Sequence, residues 1–269
     1  MRNNVNKLAL LICGQMRTFD HPKVLEYLNN FIGKFNCDVF VSTWTNRGVS
    51  VWSEYALKDQ INTQREEKNR SIDSEHIRLI GNVKKFIIED YTEFVNNKCD
   101  ADMKNLLSQP PDKLYHSKST SIASLYKLYS AHTLLDSYSI DNNIKYDIII
   151  KTRPDFLHVH TDIEKYFDRL DNTLFHINTG ISYCPERVYE MFLLSNPNVM
   201  KIVCESWLNF KNLVDSNYSL HLARLDACRL VYSQCALNNI KIETFDKVIG
   251  DVLRVENYSD YQSFENLFV

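Results

Sequence analysis

The sequence predicts an α/β protein with a mostly parallel central sheet flanked by helices. Three observations carry that prediction. The segments 8–13 and 38–44 each hold a short unbroken apolar run, and helical periodicity separates them. A strand, helix and strand in such close succession form a βαβ unit, whose crossover sets the two strands parallel. Further on, Ile148, Ile149 and Ile150 make a third unbroken run, the pattern of a strand buried on both faces.

The elements follow in order. The first strand, 8–13, is closed at once by Gly14. Asp20 and Pro22 start a helix that carries Val24, Leu25, Leu28, Phe31 and Ile32 at helical spacing. Val39, Phe40 and Val41 lie in the second strand. Between 45 and 115 the pattern weakens, and a variable, loop-rich or helical insertion is expected there. Within it, 60–74 is almost wholly polar and reads as a solvated helix or loop. A strand is expected at 83–88, a helix at 93–107, and a loop at 108–121 around Pro110 and Pro111. The strongest helix is 119–138, whose apolar residues cover more than one face and call for burial. The triple-isoleucine strand ends at Pro154, which cannot donate to a ladder. Strands at 174–177 and 181–184 follow, then helices at 185–194, 198–214 and 222–237, then strands at 241–245 and 248–255. No repeat or linker composition interrupts the chain, so residues 1–269 read as a single domain.

Composition narrows the function. Thirty-one basic and 34 acidic side chains leave a net charge of −3, which gives no basic field for nucleic acid. Six glycines, at 14, 33, 48, 81, 180 and 250, are too far apart for a P-loop or a G-x-G-x-x-G fingerprint. The seven cysteines form no C-x-x-C pair and read as reduced thiols of a cytoplasmic protein. The early apolar run is too short for a signal-peptide core or a membrane span. With an acidic, aromatic segment from Glu256 onward, at most peripheral membrane contact is expected.

In an open parallel sheet, ligands bind beyond the carboxyl ends of the strands, and three polar clusters fall there. Gly14, Gln15 and Arg17 follow the first strand: glycine for close backbone approach, the amide for a base or sugar, arginine for a phosphate. The plain alternative is a turn glycine with surface polar residues. Ser42, Thr43 and Trp44 end the second strand and suit either sugar stacking or an ordinary core tryptophan. Lys151, Thr152, Arg153, Pro154 and Asp155 follow the isoleucine strand. Asp155 suits Mg²⁺ or Mn²⁺, and Arg153 a diphosphate, against the alternative of a structural ion pair. If the next segment is extended, its period of two puts His158 and His160 on one face near Asp155, where they join it as candidate metal ligands. Asp100 and Asp102 read as surface charge. Asp226 opens a helix, either as a base or as one more solvated carboxylate.

These clusters together resemble a family. The run from Leu8 to Arg17 (LALLICGQMR), the run from Asp38 to Trp44 (DVFVSTW) and the run from Tyr146 to Asp155 (YDIIIKTRPD) look like bacterial and viral surface-polysaccharide glycosyltransferases of capsule or lipopolysaccharide synthesis. The helix from Ser121 to Tyr138 is also similar to the one before the RPD strand there. The resemblance implies a GT-A-like, Rossmann-like fold. It also implies a transferase that moves a sugar from a nucleotide-diphosphate sugar donor to a glycan or glycolipid acceptor. Gly14, Gln15 and Arg17 would line the donor nucleotide; Thr43 and Lys151, at the ends of their strands, are further donor-binding candidates. Arg153 and Asp155 would hold the diphosphate, Asp155 through a divalent metal. Without a metal, Lys151, Arg153 and Arg17 would stabilise the leaving group. Many such enzymes present D-x-D where this chain has Asp155 alone, and Thr179 stands where an acid is expected; the pattern therefore identifies no base, and Asp226 is a candidate. A sugar nucleotidylyltransferase, or a non-catalytic nucleotide-sugar binding protein, is the competing reading.

Overall fold

Strands β1 (Leu8–Cys13) and β2 (Asp38–Trp44) are buried along their whole length, and helix α1 (Pro22–Phe35) crosses between them. This is the βαβ unit that the sequence predicts, with Leu10 opposite Val39 and Cys13 opposite Ser42 in parallel register. The computed structural model describes residues 6–48, 70–108, 118–158, 162–177, 187–215, 226–246 and 250–252. The expected strand at 181–184, most of the polar segment 60–74 and of the loop 108–121, His160, Thr179 and the segment from Glu256 onward lie outside the described residues.

The remaining elements are α2 (Ser74–Arg78), β3 (Val83–Glu89), α3 (Tyr91–Lys98), α4 (Ala101–Ser108), α5 (Lys118–Asn142), β4 (Ile148–Thr152), β5 (Phe156–His158), a 3₁₀ helix Glu164–Arg169, β6 (Thr173–His176), β7 (Phe192–Ser195), α6 (Pro197–Cys204), α7 (Phe210–Asp215), α8 (Ala227–Leu237), β8 (Lys241–Thr244) and β9 (Gly250–Val252). Seven strands form the central sheet in the order β3-β2-β1-β4-β7-β6-β8. β3, β2, β1 and β4 are parallel neighbours, β7 runs against both β4 and β6, and β8 is parallel to β6. The first four strands follow the 3-2-1-4 order of doubly wound sheets. The mixed α/β architecture, a mostly parallel sheet flanked by helices, is consistent with the GT-A-like, Rossmann-like expectation.

Alternation along the strands splits the core in two. Ala9, Leu11 and Cys13 of β1 join Phe40 and Ile149 under α5, α6 and α8. Leu8, Leu10 and Ile12 join Val39, Val41, Ile148 and Ile150 under α1. Helix α1 is well delimited: Pro22 sits in its first turn, the His21 ring accepts from the Lys23 amide, and Asn36 ends it in the left-handed region. Helix α5 is buried through Ile122, Leu125, Tyr126, Leu128 and Ala131, while its far end reaches solvent, with Ile140 80% exposed.

Several expected elements are corrected. The helix at 93–107 is two helices, because Asp100 stops the first and caps the second by accepting from the Met103 amide at 2.8 Å. The helix expected at 185–194 is replaced by strand β7. Phe192, Leu193 and Leu194 are all fully buried between two strands, and so short an apolar run has no period to tell strand from helix. The helix at 198–214 is interrupted by a turn at 205–209. The helix expected from 222 starts at Ala227, after Asp226 as its cap. The strand expected at 248–255 appears as β9, which pairs with β5 apart from the main sheet.

Candidate functional site

From β1 the chain moves outward through β2 and β3, then returns to the opposite side of β1 at β4. The β1–β4 boundary is therefore the topological switch point, where the two crossovers leave in opposite directions, the place where open parallel sheets bind their ligands. Register places Ile12 opposite Thr152, so the loop after β1 and the loop after β4 leave the sheet side by side.

The loop after β1 is held by β2. The Gly14 amide donates to the Ser42 carbonyl at 3.0 Å, and the buried Thr43 hydroxyl donates to the Gly14 carbonyl at 2.8 Å. Thr43 thus braces the loop. Gly14 has φ +117°, a conformation that favours glycine, and the space where a Cβ would stand holds no atom within 4 Å. Gln15 folds against Gly48, and its Oε1 accepts from Arg17 Nε at 3.3 Å. Arg17 itself is left-handed at φ 42°. Arg47 secures that conformation from both sides: its carbonyl accepts the Arg17 amide at 3.0 Å, and its Nε donates to the Arg17 carbonyl. Arg47 also pairs with Asp20.

The loop after β4 meets this one at Asp155. Arg153 grips the Asp155 carboxylate with two parallel bonds, Nε to Oδ1 at 2.9 Å and Nη2 to Oδ2 at 2.8 Å. Arg17 Nη1 reaches the same Oδ2 at 3.4 Å. Burial pushes the Asp155 carboxyl up, but the Arg153 and Arg17 guanidiniums outweigh it and hold the group ionised, below its ordinary range. Fully buried Lys151 donates to both the carbonyl and the carboxylate of Glu190, just before β7. There too burial is outweighed, chiefly by Lys151, and Glu190 stays below the ordinary range.

The other candidates lie where follows. Asp226 caps α8, accepting from the Arg229 amide at 2.9 Å, while its second oxygen accepts from Arg187 Nη2 at 2.8 Å. It is buried rather than a solvated carboxylate. The Val188 amide donates to the Cys228 carbonyl at 3.0 Å, tying the segment before β7 to the first turn of α8. His158 is in an extended segment, as expected, but its ring packs among Phe31, Phe156 and Phe192, at centroid distances of 4.6, 5.1 and 5.7 Å. Burial lowers its pKa to about 3. Trp44 is a core tryptophan, with Tyr91, Phe94 and Tyr126 around it. Asp102 is a surface acid paired with Lys211.

Sequence reasoning missed Glu190, because 185–194 reads as a helix. It also missed Lys127 and Glu89. Lys127 is wholly buried in α5, 2.6 Å from Glu89 Oε2 and 3.8 Å from the centre of the Trp44 ring. Tyr126 donates to the other Glu89 oxygen at 2.6 Å. A lysine inside a helix that is apolar on more than one face was the available signal.

Metal ligation can be weighed against these positions. Both Asp155 oxygens are occupied by guanidinium donors, and His158 is turned into a phenylalanine cluster. Among the described residues, no group of three or more His, Cys, Asp or Glu side chains is placed to hold a metal ion. A divalent cation on Asp155 would stand against two guanidiniums. Among the described residues, no helix is long and apolar enough to cross a membrane.

No protein-family model and no curated protein sequence matches the chain. Among solved structures it is similar to a nucleoside-diphosphate-sugar pyrophosphorylase from Vibrio cholerae RC9, with 9% identity and a TM-score of 0.39 over 96% of this chain and 99% of that one. It is also similar to the glycosyltransferase GlyE of Streptococcus pneumoniae TIGR4, with 12% identity and a TM-score of 0.34 over 89% of this chain. The chain spans 46% of the length of that glycosyltransferase.

Proposed function

We propose that the protein is a glycosyltransferase that moves a sugar from a nucleotide-diphosphate sugar to a hydroxyl of a glycan or glycolipid, of the surface-polysaccharide kind the resemblance implies. One observation carries this reading: Arg17 from the β1 loop and Arg153 from the β4 loop converge on one buried carboxylate at the switch point. Cations fixed in place before the substrate arrives are what a departing diphosphate requires, since they need not reorganise as its charge grows.

In the reaction, the acceptor oxygen bonds to the anomeric carbon of the donor. The bond from that carbon to the β-phosphate oxygen breaks, and the nucleoside diphosphate leaves with the electron pair. Arg17 and Arg153 receive that charge, and Lys151 offsets the Glu190 carboxylate, on which both arginines also act. The open space beside Gly14 admits the nucleotide against the backbone, with Gln15 holding Arg17 in place. The acceptor proton passes to Asp226, the base we assign, which Arg187 and the Arg229 amide hold in place.

The test is binding followed by turnover. A nucleotide-diphosphate sugar at about 100 times its dissociation constant should stabilise the fold by about 2.7 kcal/mol, a measurable rise in Tm. The same donor with a glycan acceptor should then release its nucleoside diphosphate in step with sugar transfer. Pyrophosphate released from a nucleoside triphosphate and a sugar phosphate would instead make it a nucleotidylyltransferase. Binding with no release, over a broad acceptor panel, would make it a binding protein. Absence of any such binding would refute the reading.

A further inference from the structure

Asp155 lies behind its partners. Side-chain exposure rises from 1% at Asp155 to 15% at Arg17 and 22% at Arg153. An anion arriving from solvent therefore meets guanidinium groups before it meets the carboxylate. Among the described residues, Arg153 spends its Nε and one Nη2 proton on Asp155, and no bond engages its Nη1. A guanidinium carries five donors, so one edge can face a carboxylate while the other faces a phosphate.

A hard dication needs the opposite arrangement. Mg²⁺ or Mn²⁺ at a diphosphate takes carboxylate oxygens that reach the phosphate side, with room for water or phosphate oxygens around the ion. Here Oδ1 is taken by Arg153 and Oδ2 by both arginines, at 2.8 to 3.4 Å.

Resting on the nucleotide-sugar reading above, we propose that the diphosphate is held by Arg17 and Arg153 without a metal on Asp155, and that Asp155 is a positioning residue that aims both guanidiniums. The ligand class is a nucleoside diphosphate recognised metal-free. The lone acid in the sequence Arg153-Pro154-Asp155 then has a physical meaning: it serves the cations rather than a metal.

Calorimetric titration of the full chain with uridine, guanosine, cytidine and adenosine diphosphate, each in EDTA and again in Mn²⁺, tests this. The expected result is that one of them binds in EDTA, with an affinity that Mn²⁺ improves by no more than about twofold, since no charge at the site awaits a metal. Arg153→Lys keeps the charge but loses the fork, and should weaken EDTA binding about tenfold. Asp155→Asn should weaken EDTA binding while leaving the ratio of Mn²⁺ to EDTA affinity near one; a residue needed only for folding would move the unliganded Tm instead. Binding that appears only with Mn²⁺ and disappears with Asp155→Asn would overturn this proposal and leave the nucleotide-sugar reading intact. No binding of any diphosphate, with or without Mn²⁺, would remove that reading and this proposal with it. The wild-type comparison needs no variant to fold.

Discussion

Lys127 and Glu89 form an ion pair at 2.6 Å in which the lysine side chain is wholly buried and the glutamate keeps 19% exposure. The pair joins α5 to the end of β3, and the Trp44 ring closes over the ammonium. Burial pushes the Lys127 pKa down to about 8 against the pull of Glu89. Lys127→Met should therefore cost about 3 kcal/mol by leaving Glu89 without a cation, at the low end for a broken pair because Glu89 reaches water and keeps the Tyr126 hydroxyl. Chemical denaturation measures it. The double variant Lys127→Met with Glu89→Gln should recover much of the loss, and purely additive effects would deny the coupling.

Gly48 is a second unobvious support of the site. Its φ is +69°, and a Cβ there would stand 2.4 Å from Cδ of Gln15. Gly48→Ala should cost about 1 kcal/mol from the left-handed backbone, since the Gln15 side-chain end can swing away. Swinging away releases Arg17 Nε. Donor affinity should consequently fall several-fold in Gly48→Ala, and Gln15→Ala added to it should bring little further loss. Titration of the two variants and their combination checks this.

The parts of the fold legible in the sequence are those where burial on both faces leaves an unbroken apolar run. Segments 8–13 and 38–44 match β1 and β2 to the residue, and the isoleucine run lies in β4. Phe192, Leu193 and Leu194 carry the same signal, but three residues admit either period, and a neighbouring helix pattern won. That one error hid Glu190, the partner of Lys151. For Asp155, the residue types were legible while the direction of its charge was not. Whether an Arg and an Asp two residues apart face a ligand or each other depends on the turn at Pro154, and on Arg17, which comes from far away in the chain.

His158 predicts the acid side of the stability profile. Its pKa is lowered to about 3 in the fold by burial, against an ordinary value of 6.5. Between those values the unfolded chain binds a proton that the folded chain refuses, so stability falls as pH drops below 6.5. The slope is about 1.4 kcal/mol per pH unit for each such group. His176 is lowered in the same direction by burial and adds to the slope. His158→Phe, which keeps the ring among Phe31, Phe156 and Phe192, should flatten the profile between pH 6 and 4 in denaturation series. An unchanged slope would place the proton uptake elsewhere.

Asp226 has an observed place in the fold and a proposed one in the reaction, and substitution can separate the two. As the cap of α8 it accepts from the Arg229 amide at 2.9 Å, and as the assigned base it must take a proton. Asn caps a helix as well as Asp does, but it cannot serve as a base. Asp226→Asn keeps the cap but loses the charge pair with Arg187, so Tm should fall by several degrees, with donor KM nearly unchanged, while kcat falls about 10²- to 10⁴-fold. Asp226→Ala should lose the same turnover and a further ~1 kcal/mol of stability with the cap. Steady-state kinetics beside thermal melts decide the matter. If Asp226→Asn turns over at the wild-type rate, the carboxylate is a cap and an Arg187 partner alone, and the acceptor's proton leaves by another route.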